Sequence, residues 1–440
     1  MRSTRRGGRD DAVGAIAVAL AIVATGASCA TSAAERRAEA RAERSERRRE
    51  RAAELPSWAR SIEARGNSTA VRAAPDANAS ERRGELAAGA RFPIGERAFG
   101  PGCGDRPWYR IGERAWVCAV GVALSRAAPS ARAYPPLARD GLLPFRYAFS
   151  RANGTPAFRS REDVERGAHV AELGARWGVA VVARARAGRA PVARTTRGTW
   201  VAERHLVWAE PSRFAGARVR ESDASSSTLP IAWVRRGGAP VHAAADDADV
   251  SGRLPARQMV HVRGEVTVGS RTLARLADGR FVEARRLVRP ARIAPPDGVS
   301  ADERWIDVDL ARQTLVAYDG ATPVFATLVS TGRRPGSTPP GVHRIRLKLG
   351  HATMDDIDLD DPGNSYSMDA VPWIQYFADD VALHGVYWHD RFGQPSSHGC
   401  VNLAPRDARW LYAFTRPYVP DGWSIVRSTS RHPGTAVHVH

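Results

Sequence analysis

The sequence predicts a mainly β protein, in which a β-rich C-terminal domain at residues 302–427 follows one or two small barrel-like modules. Between residues 91 and 296, short alternating apolar and polar segments are broken by Gly, Pro and Asp, which is typical of strands joined by turns. Beyond a Pro/Gly linker at 294–298 the alternation becomes cleaner, and residues 428–440 are predicted to be a tail. A chain of 440 residues is too long for one ordinary domain, which agrees with this division.

The first 29 residues have the layout of a secretory signal, so we expect an exported protein of the periplasm or cell envelope. Arginines precede an uncharged apolar run from Ala12 to Thr25, and small residues follow it. That run is shorter than the about 20 residues of a membrane-spanning helix, although an uncleaved anchor remains an alternative. Cys29 is the candidate for a lipid anchor to a membrane, but Gly26 stands where a lipoprotein signal normally has a large aliphatic residue.

Residues 30–90 are predicted to be an Ala/Arg/Glu-rich spacer, helical or disordered. From Glu35 to Glu54 the residues are strong helix formers, but no apolar stripe recurs at helical spacing, so a helix here would bury nothing. The sequence up to Gly89 continues without periodicity. Such a segment would hold the folded part of the chain away from a membrane or an export site.

A weak internal repeat divides residues 91–296 into two barrel-like modules. The run from Leu143 to Tyr147 is echoed from Leu229 to Trp233, and Gly198 to Val201 is echoed from Gly279 to Val282. Self-similarity of this kind indicates a repeated structural unit. Chance resemblance between two β-hairpins would produce the same echo and remains the alternative.

The C-terminal domain begins with clear strand signals. Trp305 to Leu310 and Thr314 to Tyr318 alternate, and Asp319-Gly320 supplies a hairpin turn into Val324 to Val329. A further strand is predicted from Val342 to Leu347. One short helix is expected near the end, because Pro405 stands in its first turn and is followed by Ala408, Trp410, Leu411 and Tyr412.

The formal net charge of +18 comes almost entirely from arginine. We attribute the preference for arginine over lysine to genome composition rather than to a binding site. The charge still favours anionic surroundings such as phospholipid or wall polymers. The sequence has no zinc-finger spacing and no stacking-aromatic module, so we expect no nucleic-acid partner.

Four cysteines are present, and they differ in context. Cys103 and Cys118 lie close together, which in an exported chain indicates a local disulfide. Cys400 is then left without a partner. A lone thiol in an oxidising compartment is a hazard unless it has a chemical role, so Cys400 is the candidate nucleophile.

Two histidines can activate this thiol. His384, if the chain folds back, and His398, two residues before Cys400, both offer an imidazole that removes a thiol proton near neutral pH. Gly399 allows a sharp turn that can direct its own N–H and that of Cys400 at a developing oxyanion. A base, a nucleophile and these donors are the minimum set for acyl transfer.

The same residue types also fit two other interpretations. Cys400 can be an ordinary buried cysteine. Alternatively, Cys400 can hold zinc together with His384, His389 and His398, because mixed His/Cys sites are common.

The motif His384-Gly385, followed by Ser397-His398-Gly399-Cys400-Val401, resembles the active-site motif of the L,D-transpeptidase catalytic domain. The Trp305 to Tyr318 hairpin, Ser330-Thr331-Gly332 and Thr338 to Gly341 resemble that family in order and spacing. The resemblance covers about Asp302 to Arg427. The upstream modules resemble bacterial Src-homology-type wall-binding barrels.

The resemblance implies a cysteine acyltransferase of peptidoglycan stem peptides that needs no metal and no cofactor. Cys400 would attack the carbonyl of the third residue of a donor stem and expel the terminal D-alanine, with His384 as base. His398 and Gly399 would shape the site and the oxyanion hole, and Ser397 would hold the loop by bonding a histidine. The acceptor stays open between a second stem, a lipoprotein lysine, a free D-amino acid and water.

Substrate binding is predicted for a set of residues around this motif, namely Gly385, Asn402, Tyr366, Met368 and Trp388. Many family members carry arginine where this chain has Asn402, so the residue that holds the substrate carboxylate is open. The aromatic residues are dense enough to line a groove, although an ordinary core position is the alternative for each.

Two other function classes remain. A papain-like wall peptidase would place its cysteine before its histidine in the chain, whereas here His384 precedes Cys400. A non-catalytic wall-binding scaffold would not need intact His384, His398 and Cys400.

Overall fold

The computed structural model describes residues 36–44, 55–66, 68–138, 141–219, 227–356 and 366–440. The chain divides into two compact units, Met1–Arg51 and Ala52–His440. In the first unit, residues 36–44 form a largely exposed helix (α1), as the Ala/Arg/Glu composition favours. The predicted signal segment with Cys29 lies outside the described residues. Among the described residues, no helix is long and apolar enough to cross a membrane.

A first β module begins before the predicted boundary at residue 91 and continues past it. Its strands are β1 (Ser61–Ala64), β2 (Thr69–Arg72), β3 (Arg82–Leu86), β4 (Arg91–Phe92), β5 (Arg97–Ala98), β6 (Trp108–Gly112), β7 (Ala115–Cys118) and β8 (Val122–Ser125). One sheet has the order β4-β1-β8, and β3-β2-β7-β6-β5 are neighbours in a second. A disulfide joins Cys103 to Cys118 beside the buried Trp108.

The predicted spacer over residues 30–90 is therefore wrong for its second half. Ile62, Val71 and Leu86 are fully buried in the core of the first module. Each stands in a strand of four or five residues among Arg, Ala and Glu. Strands so short show no more than two alternations, so their periodicity is hidden in the sequence.

Two further modules follow with the same succession of elements. The second comprises β9 (Arg146–Ser150), β10 (Thr155–Ala157), α2 (Arg161–Arg166), β11 (Ala171–Leu173), β12 (Gly178–Ala187), β13 (Ala190–Thr195), β14 (Trp200–Ala202) and β15 (Leu206–Trp208). After β16 (Ala217–Arg218), the third comprises β17 (Ile231–Val234), β18 (Ala239–Val241), β19 (Gly252–Leu254), β20 (Met259–Val268), β21 (Arg271–Leu276), β22 (Phe281–Glu283) and β23 (Leu287–Val288). A single 3-10 turn precedes the last strand of each, at Glu203–His205 and Ala284–Arg286.

The likeness of these two modules extends to their irregularities. β12 and β20 each have ten residues, and each pairs with a following strand of six. Both pairs are interrupted by a register shift at the same place, between Val181 and Ala183 in one and between Val262 and Gly264 in the other. A shared bulge gives both long strands the same bend. The second module differs by its helix α2.

The C-terminal domain packs two sheets around α3 (Pro405–Phe414). Its strands are β24 (Arg304–Asp309), β25 (Thr314–Asp319), β26 (Thr322–Leu328), β27 (Gly341–Arg344), β28 (Leu347–Asp356), β29 (Tyr366–Ala378), β30 (Val381–Gly385), β31 (Val401–Leu403), β32 (Trp423–Arg427) and β33 (Ala436–Val439). One sheet has the order β16-β26-β25-β24-β33-β27, and the other continues from β29 through β28 and β32.

The predicted tail over residues 428–440 is an integral part of this domain. β33 lies inside the first sheet, parallel to β24 and antiparallel to β27. Val437 and Val439 are buried in the main core. The alternation in Ala436–Val439 is only four residues long and its partners are distant in sequence, so the prediction missed it.

The interior beneath the site is apolar with one ammonium group. Leu383, Val401 and Leu411 belong to the main core, between the sheets and α3. Lys348 is fully buried, and its Nζ donates to the carbonyl oxygens of Tyr412 and Thr415 and to the Thr415 hydroxyl. These three acceptors match the three protons of an ammonium, while burial lowers the pKa of Lys348 to about 7.

Each preceding module contacts the C-terminal domain directly. β3 pairs with β32, and Trp423 lies in the core of the first module. Tyr147 of the second module stacks on Tyr387 with ring centroids 3.9 Å apart. Arg257 of the third donates to the carboxylate and carbonyl of Asp390. The segment after His384 is therefore contacted by both the second and the third module.

Candidate active site

His384 lies on β30, and Cys400 directly precedes the adjacent parallel strand β31. In the β30–β31 pair, Leu383 lies opposite Val401 and His384 lies opposite Asn402. Side chains alternate between the faces of a strand, so Cys400 and Asn402 share a face. The pairing therefore brings the thiol to the side of the sheet on which His384 stands.

The segment around Cys400 is fixed by backbone pairing with the Ser330-Thr331-Gly332 stretch. Ser330 and Asn402 exchange backbone hydrogen bonds of 3.0 and 2.8 Å, and Arg333 N–H donates to the carbonyl of Ser397 at 3.0 Å. Gly399 packs so closely on the turn beside it that a Cβ there would lie 2.6 Å from the Ser337 carbonyl oxygen. Glycine is required at this position by that close approach, since its φ is not in the left-handed region.

Ser397 holds the loop through the backbone. Its Oγ donates to the Cys400 carbonyl at 2.5 Å and accepts the Gly399 N–H at 3.1 Å. The predicted bond from Ser397 to a histidine is therefore wrong, because the sharp turn brings the hydroxyl nearer to its own backbone. The Gly399 N–H is engaged by this hydroxyl, which leaves the Cys400 N–H as the better candidate oxyanion donor.

The Cys400 thiol is protonated at neutral pH. Burial raises its pKa, a hydrogen bond from the Ala382 backbone lowers it, and the Asp380 carboxylate raises it. The Cys400 sulfur lies 3.7 Å from the Asp380 carbonyl oxygen, to which the thiol donates. A thiol in such surroundings needs a base to become a nucleophile.

His384 is a neutral imidazole, the form that a general base takes before it accepts a proton. The side chain is buried, and Nδ1 lies 3.1 Å from the Gly385 carbonyl oxygen. A carbonyl only accepts, so Nδ1 carries the proton and Nε2 has a free lone pair. Burial lowers the pKa of His384 to about 4, so the ring is neutral at physiological pH.

His398 lies at the mouth of the site. Its ring stacks on Tyr366 at 5.2 Å between centroids, and Arg333 Nη2 donates to its Nε2 at 3.1 Å. The ring is exposed, in contrast to His384. Its position fits the predicted role in shaping the site rather than that of the base.

The side chain of Asn402 is hydrogen-bonded to His389. The carboxamide nitrogen of Asn402 lies 2.9 Å from His389 Nε2, while the Arg391 N–H donates to His389 Nδ1 at 3.2 Å. Since Nδ1 accepts, the neutral ring carries its proton on Nε2 and needs an acceptor there. A half turn of the carboxamide supplies its oxygen, which otherwise is buried without a partner.

A cleft of about 350 Å³ contains these groups. Of the predicted site residues, it is lined by His384, Ser397, His398, Gly399, Cys400, Asn402, Tyr366, Met368 and Trp388. Gly385 is not part of the lining and lies buried behind it. Four other lining residues were not predicted from the sequence: Arg333, Met354, Arg391 and Ser396. Met354 faces Met368 across β28 and β29, a pairing between distant positions that no local pattern shows.

The cleft continues onto the second and third modules. A cavity of about 570 Å³ shares Tyr366, Met368, Trp388 and Arg391 with it and adds residues of the second module, including Arg151, Arg176 and Trp177. Another, of about 550 Å³, lies between Arg391 and three arginines of the third module, Arg235, Arg236 and Arg257. Arg391 therefore stands where three cavities meet.

Comparison with known proteins identifies the C-terminal domain. Residues 303–439 match the family model of the L,D-transpeptidase catalytic domain. No curated protein matches the chain at a significant level.

Solved structures give similarities of lower weight. A mutant of the Enterococcus faecium L,D-transpeptidase is 24% identical over 31% of this chain and 49% of its own, with a TM-score of 0.24. The chain thus spans about half of that protein. The catalytic domain of the same enzyme, solved by NMR, is 25% identical over 32% of this chain and 98% of its own, with a TM-score of 0.24. An L,D-transpeptidase from Mycobacterium smegmatis is 18% identical over 60% of this chain and 93% of its own, with a TM-score of 0.25.

TM-scores this low carry no argument, so the assignment depends on the family model. That model begins one residue before β24 and ends with β33, so it covers the whole C-terminal domain from its first strand to its last. Residues 303–439 therefore belong to the L,D-transpeptidase catalytic domain family.

Proposed function

We propose that this protein is an L,D-transpeptidase that forms an acyl-enzyme on Cys400 with peptidoglycan stem peptides. The observation that supports this most directly is the state of His384, a neutral imidazole with Nδ1 bonded to the Gly385 carbonyl. His384, whose Nε2 lone pair is free, and Cys400, whose thiol is protonated, line the same cleft. A neutral base and a neutral thiol in one cleft are a resting state from which acyl transfer can start.

The reaction uses His384 twice. In the first step the Cys400 sulfur attacks the donor carbonyl as its proton passes to His384 Nε2, and the Cys400 N–H donates to the oxyanion. The C–N bond to the terminal D-alanine then breaks, and the imidazolium returns the proton to the departing amine. An acceptor amine attacks the thioester and loses its proton to His384. The C–S bond then breaks, and the imidazolium returns that proton to the Cys400 sulfur.

Arginines supply the charge that recognises the substrate carboxylates. Arg333 and Arg391 line the cleft, whereas Asn402 at the motif position is bonded to His389. A guanidinium binds a carboxylate in a bidentate manner. These two side chains therefore take over the recognition that an arginine at position 402 would provide.

Wall polymers are outside the cytoplasm, so the proposal includes export through the first 29 residues, with a lipid anchor at Cys29 as an option. A papain-like peptidase and a non-catalytic scaffold both fit the site less well. The chain order of His384 and Cys400 opposes the first, and the intact pair in one cleft opposes the second.

The test is intact-mass spectrometry of the folded protein after incubation with a carbapenem and, separately, with tetrapeptide stems. We expect one drug adduct on the wild type and none on Cys400→Ala, together with release of D-alanine from the stems. Cys103 and Cys118 are joined in a disulfide in both proteins, so neither presents a thiol to the drug. No adduct and no D-alanine from folded wild-type protein would favour the scaffold.

A further inference from the structure

Three potential metal ligands meet on the face of the first sheet of the catalytic domain that is turned away from the main core. Asp307 of β24 lies directly opposite His438 of β33 in the parallel pair. His440 follows two residues later, and side chains two apart on an extended strand share a face. The neighbours Ile306 and Val437 point to the opposite side, into the main core.

The donor atoms are close enough to share one ion. Asp307 Oδ1 lies 2.9 Å from His438 Nδ1 and 3.2 Å from His440 Nε2. One atom from each of the three residues lies within 4.8 Å of the other two. Ligand atoms around a tetrahedral zinc stand about 3.3 Å apart, as bond lengths of about 2.0–2.1 Å require.

The negative charge of the buried Asp307 carboxylate favours a bound cation at this site. Asp307 is 2% exposed, and its hydrogen-bond and ion-pair partners in the part of the chain that the structure describes are the two histidines. A carboxylate out of water is costly unless it is paired or bound to a metal. Imidazole nitrogens and carboxylate oxygens are metal ligands, and a divalent ion between these three residues would supply the positive charge.

We propose that Asp307, His438 and His440 bind a divalent transition metal, with Zn²⁺ the best match to two imidazoles and one carboxylate. Three protein ligands of these types leave one coordination position open. His440 is partly exposed, which gives an ion access from solvent. None of the three residues lines the cleft around Cys400, so this site goes beyond the transpeptidase proposal.

A bound ion would tie the last strand to the first strand of the domain. β33 sits between β24 and β27, and its four residues are its whole contribution to the sheet. Binding to the folded state alone stabilises a protein in proportion to the logarithm of the free ion concentration. The expected role is therefore structural, and acyl transfer proceeds without the ion.

The experiment uses the full chain in a background with Cys29→Ala and Cys400→Ala, so that neither of the two cysteines outside the disulfide can bind zinc. After incubation with Zn²⁺ and desalting, we expect one equivalent of zinc by elemental analysis and a rise in melting temperature. Both should be lost in His440→Gln and in Asp307→Asn, and both should persist in His432→Gln, which changes an exposed histidine outside the site.

His440→Gln is the decisive variant, since its exposed position makes misfolding less of a concern than at the buried Asp307. Zinc retained equally by His440→Gln, or no zinc retained by the parent, would overturn the proposal and leave an Asp–His hydrogen-bonded cluster. With Cys400 restored, His440→Gln should still form the carbapenem adduct, so failure of the metal site and failure of the transpeptidase proposal give different results.

Discussion

His384 and Asn402 lie opposite each other on neighbouring parallel strands, with the whole cleft-lining loop between them. Parallel strands cannot be joined by a tight hairpin and need a longer crossover. Here the crossover itself provides Trp388, Arg391 and His398 to the cleft. The spacing between the two halves of the motif is therefore the length of chain needed to return to the start of the neighbouring strand.

Replacement of His384 by Gln should slow acylation of Cys400 roughly 10²–10⁴-fold, the usual contribution of a general base. The buried ring supplies the only neutral imidazole nitrogen that we assign to proton removal. The measurement is the carbapenem acylation rate from mass spectra. His432→Gln is the control and should acylate at the wild-type rate; an unchanged rate in His384→Gln would remove this residue from the mechanism.

The pH dependence of acylation should be that of a neutral His384 and a neutral Cys400 thiol, not that of an imidazolium and a thiolate. His384 has a pKa of about 4, so its base form is present from about pH 5 upward. The pKa of Cys400 is raised, so its thiol stays protonated through neutral pH. We expect acylation to be level between about pH 5 and 8, and alkylation by iodoacetamide to be slow until the pH is alkaline. Fast alkylation at pH 6 would contradict this.

A chain that begins at residue 91 should be less stable than one that begins at residue 55. The shorter chain loses β1, β2 and β3, and β3 is one of the two strands that pair with β32. Trp423 and Val426, buried in the core of the first module, become exposed. Two such side chains represent roughly 3–6 kcal/mol of apolar burial.

Thermal unfolding of both truncated chains and of the full chain measures this difference. The chain from residue 55 keeps every strand of the first module and should melt like the full chain. Equal melting temperatures for all three proteins would show that the first module does not support the catalytic domain.

The sequence predicted best where the signal is local. The strands at 304–309, 314–319 and 322–328 lie where alternation and the Asp319-Gly320 turn predicted them, and α3 begins at the expected proline. These elements are specified by neighbouring residues, so a single sequence is sufficient to find them.

The elements that were missed depend on distant partners. β3 is completed by β32 from the far end of the chain, and β33 is completed by β24. Arg333 and Arg391 reach the cleft only after Ser330 pairs with Asn402 and the crossover loop is closed. In a chain so rich in arginine, neither stands out before folding.

Replacement of Arg391 by Gln should weaken use of stem peptides. A hydrogen bond to a charged group contributes about 1.5–3 kcal/mol, so kcat/KM should fall roughly 10–100-fold, mainly through KM. Arg194→Gln is the matched control, because Arg194 is exposed on β13 and lines none of the three cavities that meet at Arg391. Equal losses in both variants would indicate a general effect of charge instead of recognition.

Lys348→Met should change how stability depends on pH. Burial lowers the pKa of Lys348 from 10.5 to about 7, so between these values the unfolded chain binds a proton that the folded chain lacks. The wild type therefore gains stability as pH rises from 7 to 9, by at most about 1.4 kcal/mol per unit. Urea unfolding at pH 7, 8 and 9 should show this slope in the wild type and not in the variant. Parallel slopes would mean that Lys348 titrates normally.

Lys348 is also the only lysine in the chain, and it is fully buried. A transpeptidase that carries a thioester on Cys400 waits for an amine, and any side-chain amine on its own surface would compete with the intended acceptor. The folded domain presents no lysine amine, so in the proposed acyl-enzyme no lysine of the same chain or of a neighbouring copy would compete with the acceptor. The same burial leaves succinimidyl esters no side-chain amine to modify in the folded protein.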